Sequence, residues 1–226
     1  MLKSKDKWKV YKNVFSEFSM RTLFKLSTEE HFEELLEPIF IGKEANVFSA
    51  STREEDEVIV KIYRLENCNF NKMYEYIAAD PRYLNVSKQR RQTVFSWVQR
   101  EYKNLMIARE VIRVPTPITF KNNILVMEMI GGPAYMLKDA HPKAPEEFLK
   151  KIIENVKKLK AVGLVHGDLS HFNILNHNEE PVFIDFSQAT LTKSPNAKEL
   201  YYRDIENIRK FFYKLLDKKI VDKLLE

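Results

Sequence analysis

Asp168 and Asn173 stand five positions apart in Val165-His166-Gly167-Asp168-Leu169-Ser170-His171-Phe172-Asn173-Ile174-Leu175, and Asp185 follows in Phe183-Ile184-Asp185-Phe186. A carboxylate and a carboxamide at this offset suit a phosphoryl-transfer loop, in which the Asp handles the nucleophile's proton and the Asn holds a Mg²⁺. Residues 174–176 form a short apolar strand pattern, 177–180 a polar turn, and 181–186 a second strand that must run back antiparallel. That hairpin brings Asn173 and Asp185 to one end. Two oxygen donors there suit Mg²⁺, which takes one or two protein oxygens and completes its shell with water and phosphate. The alternative is a surface hairpin with a loop Asp, which requires three separate spacings to agree by accident.

Lys61 lies in Val58-Ile59-Val60-Lys61-Ile62-Tyr63, a strand otherwise suited to burial, where an ammonium needs a counter-charge or an anionic ligand. Glu101 shares a helical stripe with Trp97, Leu105 and Ala108, so its carboxylate points to the apolar side. The economical reading pairs the two and aims the ammonium at the α/β-phosphates of a nucleotide. The other reading is a snorkelling Lys and an unrelated exposed Glu. Gly42-Lys43-Glu44-Ala45-Asn46-Val47 joins the first two strands and has one glycine, so it is neither a Walker A loop nor a dinucleotide fingerprint. Alone it reads as a hairpin turn; ahead of a buried-lysine strand it reads as a cover for phosphates. In Val126-Met127-Glu128-Met129-Ile130, followed by Gly131-Gly132, sheet gives way to helices. The backbone carbonyl of Glu128 and amide of Ile130 would meet an adenine edge, with Met127 at the back of the pocket. Four of the five glycines flank the nucleotide cleft expected from these motifs.

The elements that must carry these groups follow from patterning. Residues 5–36 read as helical in two or three pieces, with Ser27-Thr28-Glu29-Glu30 as a helix start. Strand patterns at 39–42, 45–50, 57–63, 118–120 and 124–130 predict a five-stranded antiparallel sheet with one inserted helix, 95–111. Beyond Pro142 come a helix, the hairpin, and a long helix at about 198–216 whose stripe of Tyr201, Ile205, Ile208, Phe212 and Leu215 faces a core. The class is α+β.

With 226 residues and 44% apolar content, the chain can bury a core as one domain or two small lobes. Cys68 is the single cysteine, and no apolar run approaches the roughly 18 residues of a membrane span. The lysine-rich start lacks the apolar core of a signal peptide, so a cytoplasmic location and no membrane partner are expected. The net charge of +5 favours a nucleic-acid or ribonucleoprotein partner. Basic clusters occur at Lys3, Lys5, Lys7, Lys9 and Lys12, at Lys88, Arg90 and Arg91, and at Lys218, Lys219 and Lys223. None is interleaved with aromatics, so contacts would go mainly to phosphates.

These residues resemble the RIO atypical serine/threonine protein kinases, and within them the type-one branch in its short, archaeal-like form. The likeness rests on Gly42-Lys43-Glu44-Ala45-Asn46-Val47, Val60-Lys61-Ile62-Tyr63, Asp80-Pro81-Arg82-Tyr83, Glu101-Tyr102-Lys103-Asn104-Leu105, His166-Gly167-Asp168-Leu169-Ser170, Ile184-Asp185-Phe186-Ser187-Gln188 and Arg203-Asp204-Ile205, and spans about residues 8–212. Aminoglycoside and choline phosphotransferases, and small archaeal kinases of the tRNA-modification complex, share the H-G-D-x-x-x-x-N loop. The G-K-E-A-N-V run and Ser187-Gln188 set this chain apart from them. Type-two members begin with a winged-helix domain, for which the roughly 38 residues before the sheet are too few. Residues 65–94 resemble the mobile insert of the type-one branch. His171 and Phe186 depart from the branch's usual acidic and aliphatic residues. After Asp185-Phe186 there is no glycine and no Ala-Pro-Glu, so the peptide-holding platform of ordinary kinases is missing.

The resemblance implies a bilobal protein-kinase-like fold: an N-terminal helical extension (1–38), an antiparallel-sheet lobe with one helix (39–130, insert at about 65–94), and a mainly helical lobe (131–226). It implies ATP with Mg²⁺, for which Mn²⁺ can substitute. Asp168 would be the catalytic base, Asn173 and Asp185 the metal ligands, and Lys61 the phosphate clamp, while Asp204 would hold the catalytic-loop backbone. It further implies autophosphorylation, ATP hydrolysis through an aspartyl-phosphate at Asp185, and maturation of the small ribosomal subunit through its precursor and rRNA, with no DNA partner. The rival readings are an ATP-binding, non-catalytic assembly scaffold, a small-molecule phosphotransferase and a structural RNA-binding protein.

Overall fold

The computed structural model describes residues 15–66, 68–83, 87–131 and 134–226. The chain divides into two compact units, one of Met1–Ile77, Asn85–Tyr102 and Pro117–Met129, the other of Ala78–Leu84, Lys103–Thr116 and Ile130–Glu226.

The first unit is built on a five-stranded antiparallel sheet of β1 (Glu34–Ile41), β2 (Ala45–Ser51), β3 (Glu57–Tyr63), β4 (Pro117–Lys121) and β5 (Ile124–Glu128), in the order β1-β2-β3-β5-β4. Side chains alternate across a strand, and β3 uses both faces. Val58, Val60 and Ile62 join Phe48, Ala50, Ile124 and Val126 in a core closed by Leu23 and Leu26 of α1 (Glu17–Thr28). Lys61 and Tyr63 lie on the opposite face, toward Glu101 of α3 (Arg90–Ala108). Helix α2 (Phe70–Ala78) belongs to the segment read as an insert. The fully buried Asn123 ties α1 to the sheet, its amide donating to Ser19 Oγ at 2.8 Å and to the Tyr63 carbonyl at 2.7 Å.

The N-terminal expectation needs correction. Ser16 caps α1 by accepting from the Ser19 amide, and Ser27-Thr28-Glu29-Glu30 is where this helix ends, with Glu30 turning out at φ 67°. Residues 34–38 are not helical but open β1, whose register is irregular around Pro38. An edge strand tolerates that proline, and Glu34, Glu37 and Pro38 hid the strand pattern. Residues 1–14, including the first basic cluster, lie outside the described residues.

The second unit contains α4 (Pro145–Ala161), α5 (Ala197–Phe212), α6 (Lys218–Leu225), a three-stranded sheet β6-β8-β9 (Ala134–Met136, Ile174–His177, Glu180–Phe183) and a small ladder of β7 (Leu164–Val165) with β10 (Thr190–Leu191). Pro145 at the first turn and a stripe of Phe148, Leu149, Ile152, Val156 and Leu159 define α4. The hairpin turn is tighter than expected. Only Asn178 and Glu179 link the strands, at φ 54° and 64°, as in a type I′ turn. The sequence pattern missed β6. The buried face of α5 keeps Ile208 and Phe212 of the expected stripe but is completed by Leu200, Asp204 and Phe211, with a carboxylate at its middle.

Asn123→Ala should leave the Tyr63 carbonyl and Ser19 hydroxyl short of a buried donor. Denaturant unfolding should show a loss of about 1–3 kcal/mol, with little change in the slope with denaturant.

Candidate active site

In the first unit, Lys61 Nζ donates to Glu101 Oε1 at 2.8 Å, and the Tyr63 hydroxyl donates to Oε2 at 2.5 Å. The two charged side chains are 8% and 1% exposed. Both carboxylate oxygens are thus engaged, which a buried ion pair needs if it is to offset its desolvation. The Tyr63 ring also lies 5.2 Å from the ammonium. The sequence reading paired Lys61 with Glu101 but missed Tyr63, although strand alternation puts positions 61 and 63 on one face.

The Gly42–Val47 run is half turn and half strand. The Gly42 amide donates to the Ala45 carbonyl at 3.0 Å, and a Cβ on Gly42 would come within 2.9 Å of that oxygen and 2.6 Å of the Phe40 ring. A side chain at this position therefore requires the turn to shift. Lys43 is exposed and Glu44 half-buried, while Ala45 and Asn46 are buried. The Asn46 carboxamide accepts from Arg64 at 3.1 Å, and Val47 lies directly opposite Lys61. In β5, Leu125 pairs with Lys61 and Met127 with Ile59, so Met127 shares the Lys61 face. The strand ends at Glu128 rather than at 130, and Ile130 is counted in the second unit.

In the second unit, Asp204 is the anchor of the 166–173 loop. Its Oδ2 and Oδ1 accept from the Gly167 and Leu169 amides, each at 2.7 Å. Its neighbour Arg203 donates to the Gly167 carbonyl, and Asn207, one turn on, donates to the Leu169 carbonyl at 3.1 Å. Gly167 adopts φ 76°, and a Cβ there would lie 2.7 Å from the Gln188 carbonyl. Burial pushes the Asp204 carboxyl up to about 7, against the two amide donors and Arg203, which lower it. Burial is the stronger effect because the carboxylate is almost wholly withdrawn from water.

Asn173 is held on three sides. Its amide nitrogen donates to the Asp168 carbonyl at 2.8 Å and lies 3.3 Å from Asp168 Oδ2, while its backbone accepts from the Ile184 amide at 3.0 Å. This brings Asp168, Asn173 and the 184–185 backbone together, as the hairpin argument requires. Asp185 sits in the left-handed region at φ 61°, ψ 71°, and its carboxylate accepts from the Ser187 amide at 3.3 Å. His166 supports the same turn, with Nε2 3.1 Å from the Ile184 carbonyl and its ring 4.6 Å from that of Phe186. Asn207 carries no sequence signal, and the motifs that contain Arg203 and His166 mark no role for them, since the bonds of all three go to backbone atoms that no side-chain pattern marks.

The RIO domain model matches residues 46–224. The chain belongs to the RIO family of serine/threonine kinases. It is 42% identical over 208 residues to the RIO-type serine/threonine-protein kinase Rio1 of Methanocaldococcus jannaschii, covering 90% of this chain and 71% of that protein. With Rio1 of Haloferax volcanii it shares 38% over 215 residues, covering 93% and 74%. The solved Rio2 kinase from Chaetomium thermophilum, in an ADP/Mg²⁺-phosphoaspartate complex, superposes with a TM-score of 0.68 at 21% identity. That match covers 85% of this chain and 59% of the solved one. The fold is therefore the kinase-like fold of the RIO proteins.

Two measurements test the site's electrostatics. Lys61→Met should strand the Glu101 carboxylate and cost about 3–5 kcal/mol in unfolding free energy. The double variant Lys61→Met/Glu101→Gln should recover much of that loss.

For Asp204, the folded carboxyl titrates near 7 and the unfolded one near 3.8. Between those values the folded chain holds a proton that the unfolded chain has released. Stability from this group is therefore complete below about pH 4 and lost as pH rises through 7. Relative to Asp204→Asn, the wild type should gain on the order of a few kcal/mol between pH 8 and pH 5; a gap independent of pH would contradict the assignment.

Proposed function

We propose that the chain is a Mg-ATP-dependent serine/threonine protein kinase and ATPase of small-subunit ribosome maturation, with Asp168 as its catalytic base. The observation that carries the reading is the bonded arrangement of Asp168, Asn173 and the Ile184-Asp185 backbone at one end of the hairpin. Its support in the first unit is the buried Lys61–Glu101 pair. Lys61, held by Glu101, neutralises the nucleotide phosphates. Gly42, Lys43, Glu44, Ala45, Asn46 and Val47 cover them, and the Glu128 carbonyl and Ile130 amide take the adenine edge with Met127 packed behind it.

Asn173 and Asp185 fit a divalent ion with few protein ligands. The Asn173 amide nitrogen is turned to Asp168, which leaves its carboxamide oxygen as the donor. Two protein oxygens suffice for a Mg²⁺ that completes its shell with water and phosphate. A bound ion would supply charge neutralisation for the phosphates; Mn²⁺ has the same preference for oxygen donors.

The chain lacks the peptide platform of ordinary kinases, and a solved Rio2 is described as a phosphoaspartate complex. Both support Asp185 as an acceptor. A carboxylate oxygen of Asp185 attacks the terminal phosphorus, the bond to the β-phosphate oxygen breaks, and ADP leaves. Water then cleaves the acyl phosphate, with Asp168 taking the proton of the attacking water. The charge of +5 and the exposed Lys218, Lys219 and Lys223 support a phosphate-rich partner, the small-subunit precursor and its rRNA, in the cytoplasm. No described helix is long and apolar enough to cross a membrane.

One experiment with γ-labelled ATP tests this. The wild type should acquire label that hydroxylamine removes, and purified small-subunit precursor should raise its turnover. Asp168→Asn should bind ATP but turn over roughly 100-fold or more slowly, the usual worth of a positioned general base. Wild-type turnover in Asp168→Asn, or label found only on Ser or Thr, would refute the roles given to these two residues.

A further inference from the structure

Two motifs of the chain have no part in the reading so far: Asp80-Pro81-Arg82-Tyr83, and Asn104, three residues beyond Glu101. The structure brings them together inside the second unit. Asp80 is buried, and Arg82 grips its carboxylate from the side, with Nε 2.9 Å from Oδ1 and Nη2 2.6 Å from Oδ2; the Arg82 amide adds a third donor at 3.0 Å. Arg82 Nη2 also donates to Asn104 Oδ1 at 2.8 Å. Asn104 is fully buried, and its amide nitrogen donates to the carbonyls of Phe186 at 3.1 Å and Ala189 at 2.8 Å.

Those two carbonyls are the ends of the 3₁₀ turn Phe186–Gln188, of which Asp185 is the N-cap. The turn is the only segment that joins the Asp185 carboxylate to β10, and it starts from a residue held in the left-handed region. A non-glycine residue stays in that region when its surroundings over-determine it. Here the surroundings include a side-chain amide clamping both ends of the next turn, whose own oxygen is fixed by a guanidinium. That guanidinium is fixed in turn by a buried carboxylate. Each link leaves the next with one satisfied orientation: turning the Asn104 carboxamide over would set its oxygen against two carbonyls and its NH₂ against Arg82.

We propose that Asp80, Arg82 and Asn104 form a positioning relay for Asp185, holding the Phe186–Ala189 turn so that the Asp185 carboxylate keeps the orientation needed for metal binding and phosphoryl transfer. None of the three touches the reacting atoms. The relay rests on the reading of Asp185 given above, and it explains why a motif from the segment that resembles an insert is built into the second unit.

The test uses the full chain and Mn²⁺ with ADP as the probe. Asn104→Asp keeps the acceptor for Arg82 but sets an oxygen against the two carbonyls, while Arg82→Lys keeps the charge and loses the forked grip. In both variants, amide hydrogen exchange should speed up at residues 186–190 and remain as in the wild type in α4. The Mn²⁺ half-saturation measured by electron paramagnetic resonance should rise about tenfold, as for other groups that orient a ligand. ADP affinity in EDTA should stay within about twofold. The pair Asn104→Asp/Arg82→Lys should be no worse than Asn104→Asp alone, because a relay fails as a unit.

Unchanged exchange at 186–190 and unchanged Mn²⁺ binding would overturn the relay, as would exchange that quickens equally throughout the unit, which would mark a general loss of stability. Asp185→Asn, run in parallel, separates the two levels. If it binds Mn²⁺ as well as the wild type, the metal reading of Asp185 fails, and the relay's purpose fails with it, even where the exchange data show the turn being held.

Discussion

Burying a carboxylate is the constraint on which this structure turns. An anion withdrawn from water must be met by donors on nearly every lone pair, so a buried Asp or Glu fixes whatever supplies those donors. Glu101 fixes Lys61 and Tyr63. Asp204 fixes the amides on either side of Asp168, leaving the 166–173 loop little freedom at the residues that flank it. Asp80 fixes Arg82, and through it the turn after Asp185. On the function proposed above, the chemistry falls to Lys61, Asp168, Asn173 and Asp185, while their surroundings are set by carboxylates with no part in it.

Much of this was legible because it is local or periodic. A lysine in an apolar strand and a glutamate on an apolar helical stripe announce a buried pair, and a five-residue offset followed by a hairpin announces convergence. The antiparallel sheet followed from short β-branched runs. What escaped has physical reasons. The edge strand β1 carries Glu34, Glu37 and Pro38, residues an edge tolerates and a pattern search rejects. On α5, Ile208 and Phe212 are buried as expected, but Tyr201 and Ile205 lie one residue off the buried face because Leu200 and Asp204 occupy it. A hydrophobic stripe assumes that the inward residue is apolar, whereas the inward residue here serves a loop 37 positions away. The role of Asn104 was invisible for a similar reason, since its partners are backbone carbonyls more than 80 positions downstream.

The sequence after Asp185 shows most directly how this kinase-like unit differs from one that grips a peptide. A substrate platform needs a segment of low local stability that can reorder, and such segments carry few buried contacts. The residues here are committed to closing the fold instead. The 3₁₀ turn runs directly into β10, where Thr190 and Leu191 pair with Val165 and Leu164, just ahead of the catalytic loop. The Thr192 amide donates to the Gly163 carbonyl at 2.8 Å, and Ser194 and Ala197 are buried as α5 begins.

This stretch is thus a staple between the loop of Asp168 and the helix of Asp204. Lifting it to make room for an extended peptide would break the ladder, expose Ala197 and free the turn that Asn104 holds. The closed segment has a chemical consequence. On the proposed reading of Asp185, the turn that carries the acceptor carboxylate is already fixed before any other phosphoacceptor arrives. On that reading a protein substrate would meet a larger surface rather than be threaded along this segment.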